Sequence, residues 1–145
     1  MILVEQLRTF IAMEPRGKQR PRIVKRANVP YPIAITPDQT VNAENRVQAH
    51  VQGAWGRPPL EGPLQVQIVV RILKPKSKPK KACWPTSKPD ADNYAKLVLD
   101  ALNGVLWRDD SQVVRLFVEK VYCDSLHPQQ GLLLITHAMQ IEEVG

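Results

Sequence analysis

Cysteine is nearly absent from these 145 residues: Cys83 and Cys123 stand alone, with no CxxC spacing and no matching histidine cluster. That argues against a disulfide scaffold and against structural zinc, and the two side chains read as free thiols of a reducing compartment. The histidines, His50, His127 and His137, are too scattered to suggest a site. No apolar run approaches the roughly 18–20 residues of a membrane-spanning helix, so no membrane partner is expected. The first residues, Met1-Ile-Leu-Val-Glu-Gln-Leu-Arg8, lack a basic flank, a long apolar stretch and a small-residue cleavage site. They read as no secretory signal, and the expected compartment is the cytoplasm. There is no P-loop and no Gly-rich dinucleotide fingerprint, so no nucleotide cofactor is expected. The apolar fraction, 43%, is ordinary for a globular protein, and the length fits one domain over residues 1–145.

Acid is also missing from two long stretches. Residues 15–37 carry Arg16, Lys18, Arg20, Arg22, Lys25 and Arg26 with no carboxylate. Residues 62–89 carry Arg71, Lys74, Lys76, Lys78, Lys80, Lys81 and Lys88, again with none. These six and seven make thirteen of the twenty basic residues, in a chain of net charge +6. A solvated basic surface kept for solubility needs no such segregation, whereas contact with a polyanion does.

Along the chain, residues 6–13 suggest a first strand. Residues 14–22, broken by Pro15, Gly17 and Pro21, suggest an extended basic loop. Irregular chain continues to Pro37, and a helix is expected near 39–54, with Val47, Val51 and Ala54 on one face. Leu64, Val66, Ile68, Val70 and Ile72 alternate with polar positions and predict a half-buried strand over 64–73. Prolines and like charges make Lys74–Lys81 a flexible basic loop. Tyr94, Leu97, Val98, Ala101 and Leu102 give a second helix its apolar face, and Asn103-Gly104 stops it. A long strand is expected at 113–122, and a last one at 132–136 after a turn at His127-Pro128. The predicted fold class is α/β (α+β): one domain, a mixed sheet and helices mainly on one face.

Directly after the second basic stretch come five aspartates: Asp90, Asp92, Asp100, Asp109 and Asp110. Crowded carboxylates repel, so a fold that gathers them usually gathers a hard cation such as Mg2+. Each has an ordinary explanation too. Asp90 or Asp92 can cap the helix, Asp100 can pair with Lys96 four residues earlier, and Asp109-Asp110 can serve a turn. The strand–loop–helix–turn–strand order nevertheless brings the helix start beside the turn, which would group Asp90, Asp92 and one of the Asp109/Asp110 pair. Lys96 either pairs with its neighbours or offsets charge on a scissile phosphate. Asn93 and Gln112 are candidates for orienting carboxylates or water, or for plain surface hydrogen bonding. Trp84 and Tyr94 can stack on an unpaired base or, for Tyr94 especially, pack in the core. An EF-hand does not fit, because the loop from Asp90 has Tyr fifth and Ala sixth. A nucleotide-sugar Asp-x-Asp enzyme needs more chain than this.

The runs Lys88-Pro-Asp-Ala-Asp-Asn-Tyr-Ala-Lys96, Leu99-Asp-Ala-Leu-Asn-Gly104 and Trp107-Arg-Asp-Asp-Ser-Gln-Val113 resemble the core signature of the RusA-like Holliday junction resolvases. Glu14-Pro-Arg-Gly-Lys-Gln-Arg-Pro-Arg22 is similar to that family's basic N-terminal loop, and Thr36-Pro37 and Lys78-Pro-Lys-Lys81 fall in the matching order. The resemblance spans about residues 6–136. It implies a homodimeric, Mg2+-dependent endonuclease that nicks paired strands of four-way DNA junctions. It further implies metal binding by Asp90, Asp92 and Asp110, with Asp109 as the alternate third ligand, and a catalytic role for Lys96. Arg16, Lys18, Arg20, Arg22, Lys76, Lys78, Lys80 and Lys81 would grip DNA phosphates. Tyr94 departs from the aliphatic residue usual at its place, and the lysine-rich loop exceeds that of the family's shortest members. A flap or fork nuclease of the same fold, or a non-catalytic DNA-binding module, is the alternative.

Overall fold

The computed structural model describes residues 1–142. The alternating segment at 64–73 forms β4 (Leu64–Ile72), at the heart of a four-stranded sheet ordered β1-β6-β4-β5. Its partners are β1 (Ile2–Ala12), β5 (Val113–Tyr122) and β6 (Gly131–Gln140). β4 and β5 run parallel, while β6 is antiparallel to both β1 and β4, so the sheet is mixed. A parallel neighbour needs a crossover, and α2 (Ala91–Ala101) supplies it. The other helix, α1 (Asp38–Trp55), ends at Gly56, whose left-handed φ of 59° suits glycine.

One core joins these parts. α1 buries Ala43, Val47, Val51 and Trp55 at helical spacing, and α2 buries Tyr94, Leu97, Val98 and Ala101. Both rows meet Leu64, Val66, Ile68 and Val70 of β4, Leu132 and Leu134 of β6, and Ile11 of β1. The helices therefore cover one sheet face, as expected. Side chains of opposite parity, such as Gln67, Val69 and Arg71, point to the other face.

Three details differ from the sequence reading. β1 begins at Ile2, because it pairs along β6 almost to its end. β6 correspondingly reaches Gln140. The proline-rich stretch before α1 contains a small two-stranded sheet, β2 (Arg22–Val24) against β3 (Ile33–Ile35). Three-residue strands are too short to leave a period. No described helix is long and apolar enough to cross a membrane.

Candidate active site

Asp90 occupies the position just before α2, in extended conformation, and its side chain makes no capping hydrogen bond. Asp92 follows in the first turn, where the positive end of the helix dipole favours a carboxylate. Asp92, Lys96 and Asp100 lie four residues apart and share one helix face. Across from them stands the single-turn 3₁₀ helix Asp110–Gln112 that leads into β5.

That turn separates the two adjacent aspartates. Asp109 caps it: its Oδ2 accepts from the Ser111 N–H at 3.1 Å. This bond pulls the Asp109 carboxyl below the usual carboxylate range. Gln112 closes the reciprocal half, its Oε1 accepting from the N–H groups of Arg108 (2.8 Å) and Asp109 (3.0 Å). The Gln112 Nε2 donates to the Leu60 and Gly62 carbonyls, at 2.9 and 3.1 Å. Gln112 thus fastens the turn to the preceding loop. Asp110, left out of this arrangement, lines an open cleft of about 530 Å³ with Asp92, Lys96 and Asp100, floored by Ala95, Leu99, Leu116 and Val118.

Among the described residues, Asp92, Lys96 and Asp110 make no side-chain hydrogen bond or ion pair within the protein. Asp90 is exposed beside the cleft and is not part of its lining. No three His, Cys, Asp or Glu side chains among the described residues are close enough to hold an ion together. The donor set still fits a hard divalent cation. Mg2+ is typically held by one or two carboxylates, completing its shell with waters and substrate phosphate.

Asp100 does not pair with Lys96, as the helical spacing suggested. Its Oδ2 meets the Lys18 ammonium at 3.3 Å, and Lys18 also binds Glu44 Oε1 at 2.6 Å. Burial alone would lower the Lys18 pKa, but the two carboxylates outweigh it and hold the pKa above the ordinary value. Lys18 therefore ties the N-terminal loop to both helices, and its ammonium is engaged inside the protein. The loop continues this docking through Lys18 N–H, which donates to the Asn93 carbonyl at 3.0 Å. Asn93 thus contributes its backbone here.

Gly17 makes the close approach possible. A Cβ at that position would lie 2.7 Å from Pro89 Cβ and 3.3 Å from Asn93 Cβ. Gly17→Ala is expected to lower the thermal midpoint by about 3–10 °C, the cost of overpacking in a domain this size. An unchanged midpoint in differential scanning calorimetry would show that the loop is not seated there.

Lys120 was not singled out by sequence reasoning. Its Nζ makes no ion pair among the described residues and donates to the Ser87 and Pro89 carbonyls, at 2.9 and 3.0 Å. It holds the chain just before Asp90. The signal was available: Lys120 interrupts the row Val114, Leu116, Val118, Tyr122 on one face of β5. Of the remaining expected phosphate contacts, Arg20 and Arg22 are exposed, as are Lys76, Lys78, Lys80 and Lys81. Arg16 pairs with Glu14 at 3.1 Å at the surface. Tyr94 is buried in the core, while Trp84 is 67% exposed.

Asp92, Asp110 and Lys96 thus share one cleft with no internal side-chain partner among the described residues. The family model for endodeoxyribonuclease RusA matches residues 12–128, and the chain belongs to that family. RusA family nucleases are generally dependent on divalent metal. The chain is also 44% identical over 75 residues to the uncharacterized protein YqaN of Bacillus subtilis strain 168, a match covering 45% of this chain and 53% of that protein. The chain thus spans about half the length of that relative.

Proposed function

We propose that the protein is a Mg2+-dependent endodeoxyribonuclease that resolves four-way DNA junctions by paired nicks, acting in the cytoplasm as one nuclease domain per subunit. The observation that carries this reading is the convergence of Asp92, Asp110 and Lys96 on one cleft, with both carboxylates free. Asp92 and Asp110 would hold Mg2+, with Asp90 at the cleft edge as a further oxygen donor. When bound, the ion polarises a phosphate oxygen and lowers the pKa of a coordinated water.

The protein's own groups supply the rest. The Lys96 ammonium, directed into the cleft, offsets the charge that builds on the phosphate or positions the attacking water. The 3₁₀ turn keeps Asp110 on the cleft that Asp92 lines, so the two carboxylates would share one ion. Arg16, Arg20, Arg22, Lys76, Lys78, Lys80 and Lys81 would hold the DNA backbone without reading sequence. Two symmetric cuts call for two sites, which a two-fold homodimer provides.

Incubating a labelled four-way junction with the protein, with and without Mg2+, tests this reading. The expected result is symmetric paired nicks only with Mg2+, and faster cutting than of flaps, forks or linear duplex. Preference for a flap would move the substrate class, and binding without any nicking would make the protein a DNA-binding module. Lys96→Ala is expected to slow cutting about 10- to 100-fold with junction affinity nearly unchanged, and Lys96→Arg to restore part of the rate. Equal rates for Lys96→Ala and wild type in single-turnover assays would remove Lys96 from the mechanism.

A further inference from the structure

The sheet face left open by the helices carries a second cavity. Tyr122 N–H donates to the Cys83 carbonyl at 3.0 Å, joining the basic segment to the end of β5. Lys74 Nζ donates to the Pro79 and Lys80 carbonyls, at 3.1 and 2.9 Å, and so folds that segment on itself. The result is a cavity of about 450 Å³ whose lining includes Arg71, Lys80, Trp84, Glu119, Asp124 and His127. Its size is that of small-ligand sites, roughly 300–1,000 Å³.

Two features of the lining point to a ligand. Trp55 and Trp107 are buried at 8% and 0% exposure, whereas Trp84 is 67% exposed and offers an indole to solvent. Arg71 and Lys80 have no side-chain hydrogen bond or ion pair among the described residues. Asp124 is already occupied by His127, accepting from its N–H at 2.7 Å. Glu119 is then the one lining carboxylate without an internal partner among the described residues, against three lining cations, Arg71, Lys74 and Lys80. An aromatic plane beside unpaired cations matches one nucleotide, with the base on the ring and the phosphate on the cations.

We propose that this cavity binds an unpaired nucleotide of the DNA, stacking its base on Trp84 and placing its phosphate on Arg71 and Lys80. The proposal rests on the DNA-binding reading above and adds a second contact outside the cutting cleft. In intact duplex every base already stacks on its neighbours, so the indole finds a free face only where pairing is broken. The site therefore favours strands that leave a branch point or a gap. It also gives the lysine-rich segment a role beyond charge.

The full chain is titrated in EDTA, without cutting, with oligothymidylate and separately with blunt duplex, following tryptophan fluorescence and anisotropy of labelled DNA. Oligothymidylate is expected to quench the wild type. Trp84→Ala is expected to bind it about tenfold more weakly, Trp84→Phe to recover most of that loss, and duplex affinity to change little. Because Trp84 is exposed, both variants should keep the wild-type circular dichroism spectrum. Equal oligothymidylate affinity for wild type and Trp84→Ala overturns the proposal, as does an equal loss for oligothymidylate and duplex. If the wild type binds no DNA of any form, the DNA reading itself falls. If it binds and cuts junctions but Trp84→Ala matches it on oligothymidylate, only this nucleotide site falls.

Discussion

Asp92→Asn is expected to bind a four-way junction within about twofold of wild type while cutting it roughly a hundredfold more slowly, or worse, in Mg2+. The substitution is nearly isosteric and the side chain has no internal partner among the described residues, so the fold loses only the small helix-dipole contribution of the charge. What disappears is a charged oxygen donor in the cleft. A metal held by two carboxylates supplies several kcal/mol of transition-state stabilisation, and a loss of about 3 kcal/mol already corresponds to a hundredfold in rate. Binding is expected to survive because, on the proposed function, most of the affinity would come from basic residues on phosphates, and it should fall steeply with salt in both proteins.

The two aspartates of the turn make the sharper comparison. Asp110→Asn should behave like Asp92→Asn, because Asp110 lines the same cleft. Asp109→Asn should keep its cutting rate at neutral pH, since the Asp109 carboxylate faces the Ser111 N–H and caps the turn. The depressed Asp109 pKa gives its contribution a sign. The capping contribution is present above the unfolded carboxylate pKa and fades as pH falls through the lower folded value. Asp109→Asn should therefore flatten the acid limb of the stability profile. Full cutting by Asp92→Asn and Asp110→Asn, measured under single turnover, would sink the metal-site reading.

Why the sequence resolved some of this and not the rest is a matter of period and range. β4 and the buried face of α2 were legible because alternation and helical spacing are local properties of apolar residues. The candidate carboxylates were legible as a cluster, since five aspartates in an otherwise basic region are conspicuous. Which member of Asp109-Asp110 faces the cleft was not, because it depends on Gln112 reaching back to Leu60 and Gly62, some fifty positions away in sequence. The partner of Asp100 was hidden for the same reason. Lys96 sat at the right spacing, but Lys18 arrives from the N-terminal loop and also satisfies Glu44. Charge runs carry no signal of which lysine turns inward, so Lys18 could not be told from its solvated neighbours, whereas Lys120 stood out on the apolar row of β5.

The turn that carries Asp110 depends in turn on a residue with no ionisable group. Trp107→Ala is expected to destabilise the protein by about 3–5 kcal/mol, the usual range for removing a buried aromatic. Trp107 is fully buried. Its Nε1–H donates to Asn103 Oδ1 at 3.1 Å, and its carbonyl accepts from the Gly104 N–H at 2.7 Å. The indole thus clamps the end of α2 to the chain that enters the turn, and Leu60 bridges to it from the loop that Gln112 also grips. Alanine would leave a cavity between α2 and the turn, and the Asn103 oxygen would lose its donor. For a domain with about 5–15 kcal/mol of stability this is a large fraction, visible as a fall of roughly 10 °C or more in thermal midpoint. Trp107→Phe keeps most of the volume and loses the hydrogen bond, so it should cost about 1–2 kcal/mol. Cutting by the folded fraction of Trp107→Ala should drop as well, because loosening the turn lets Asp110 drift from Asp92. A shift below about 3 °C in thermal denaturation would mean that the turn is held by Gln112 alone.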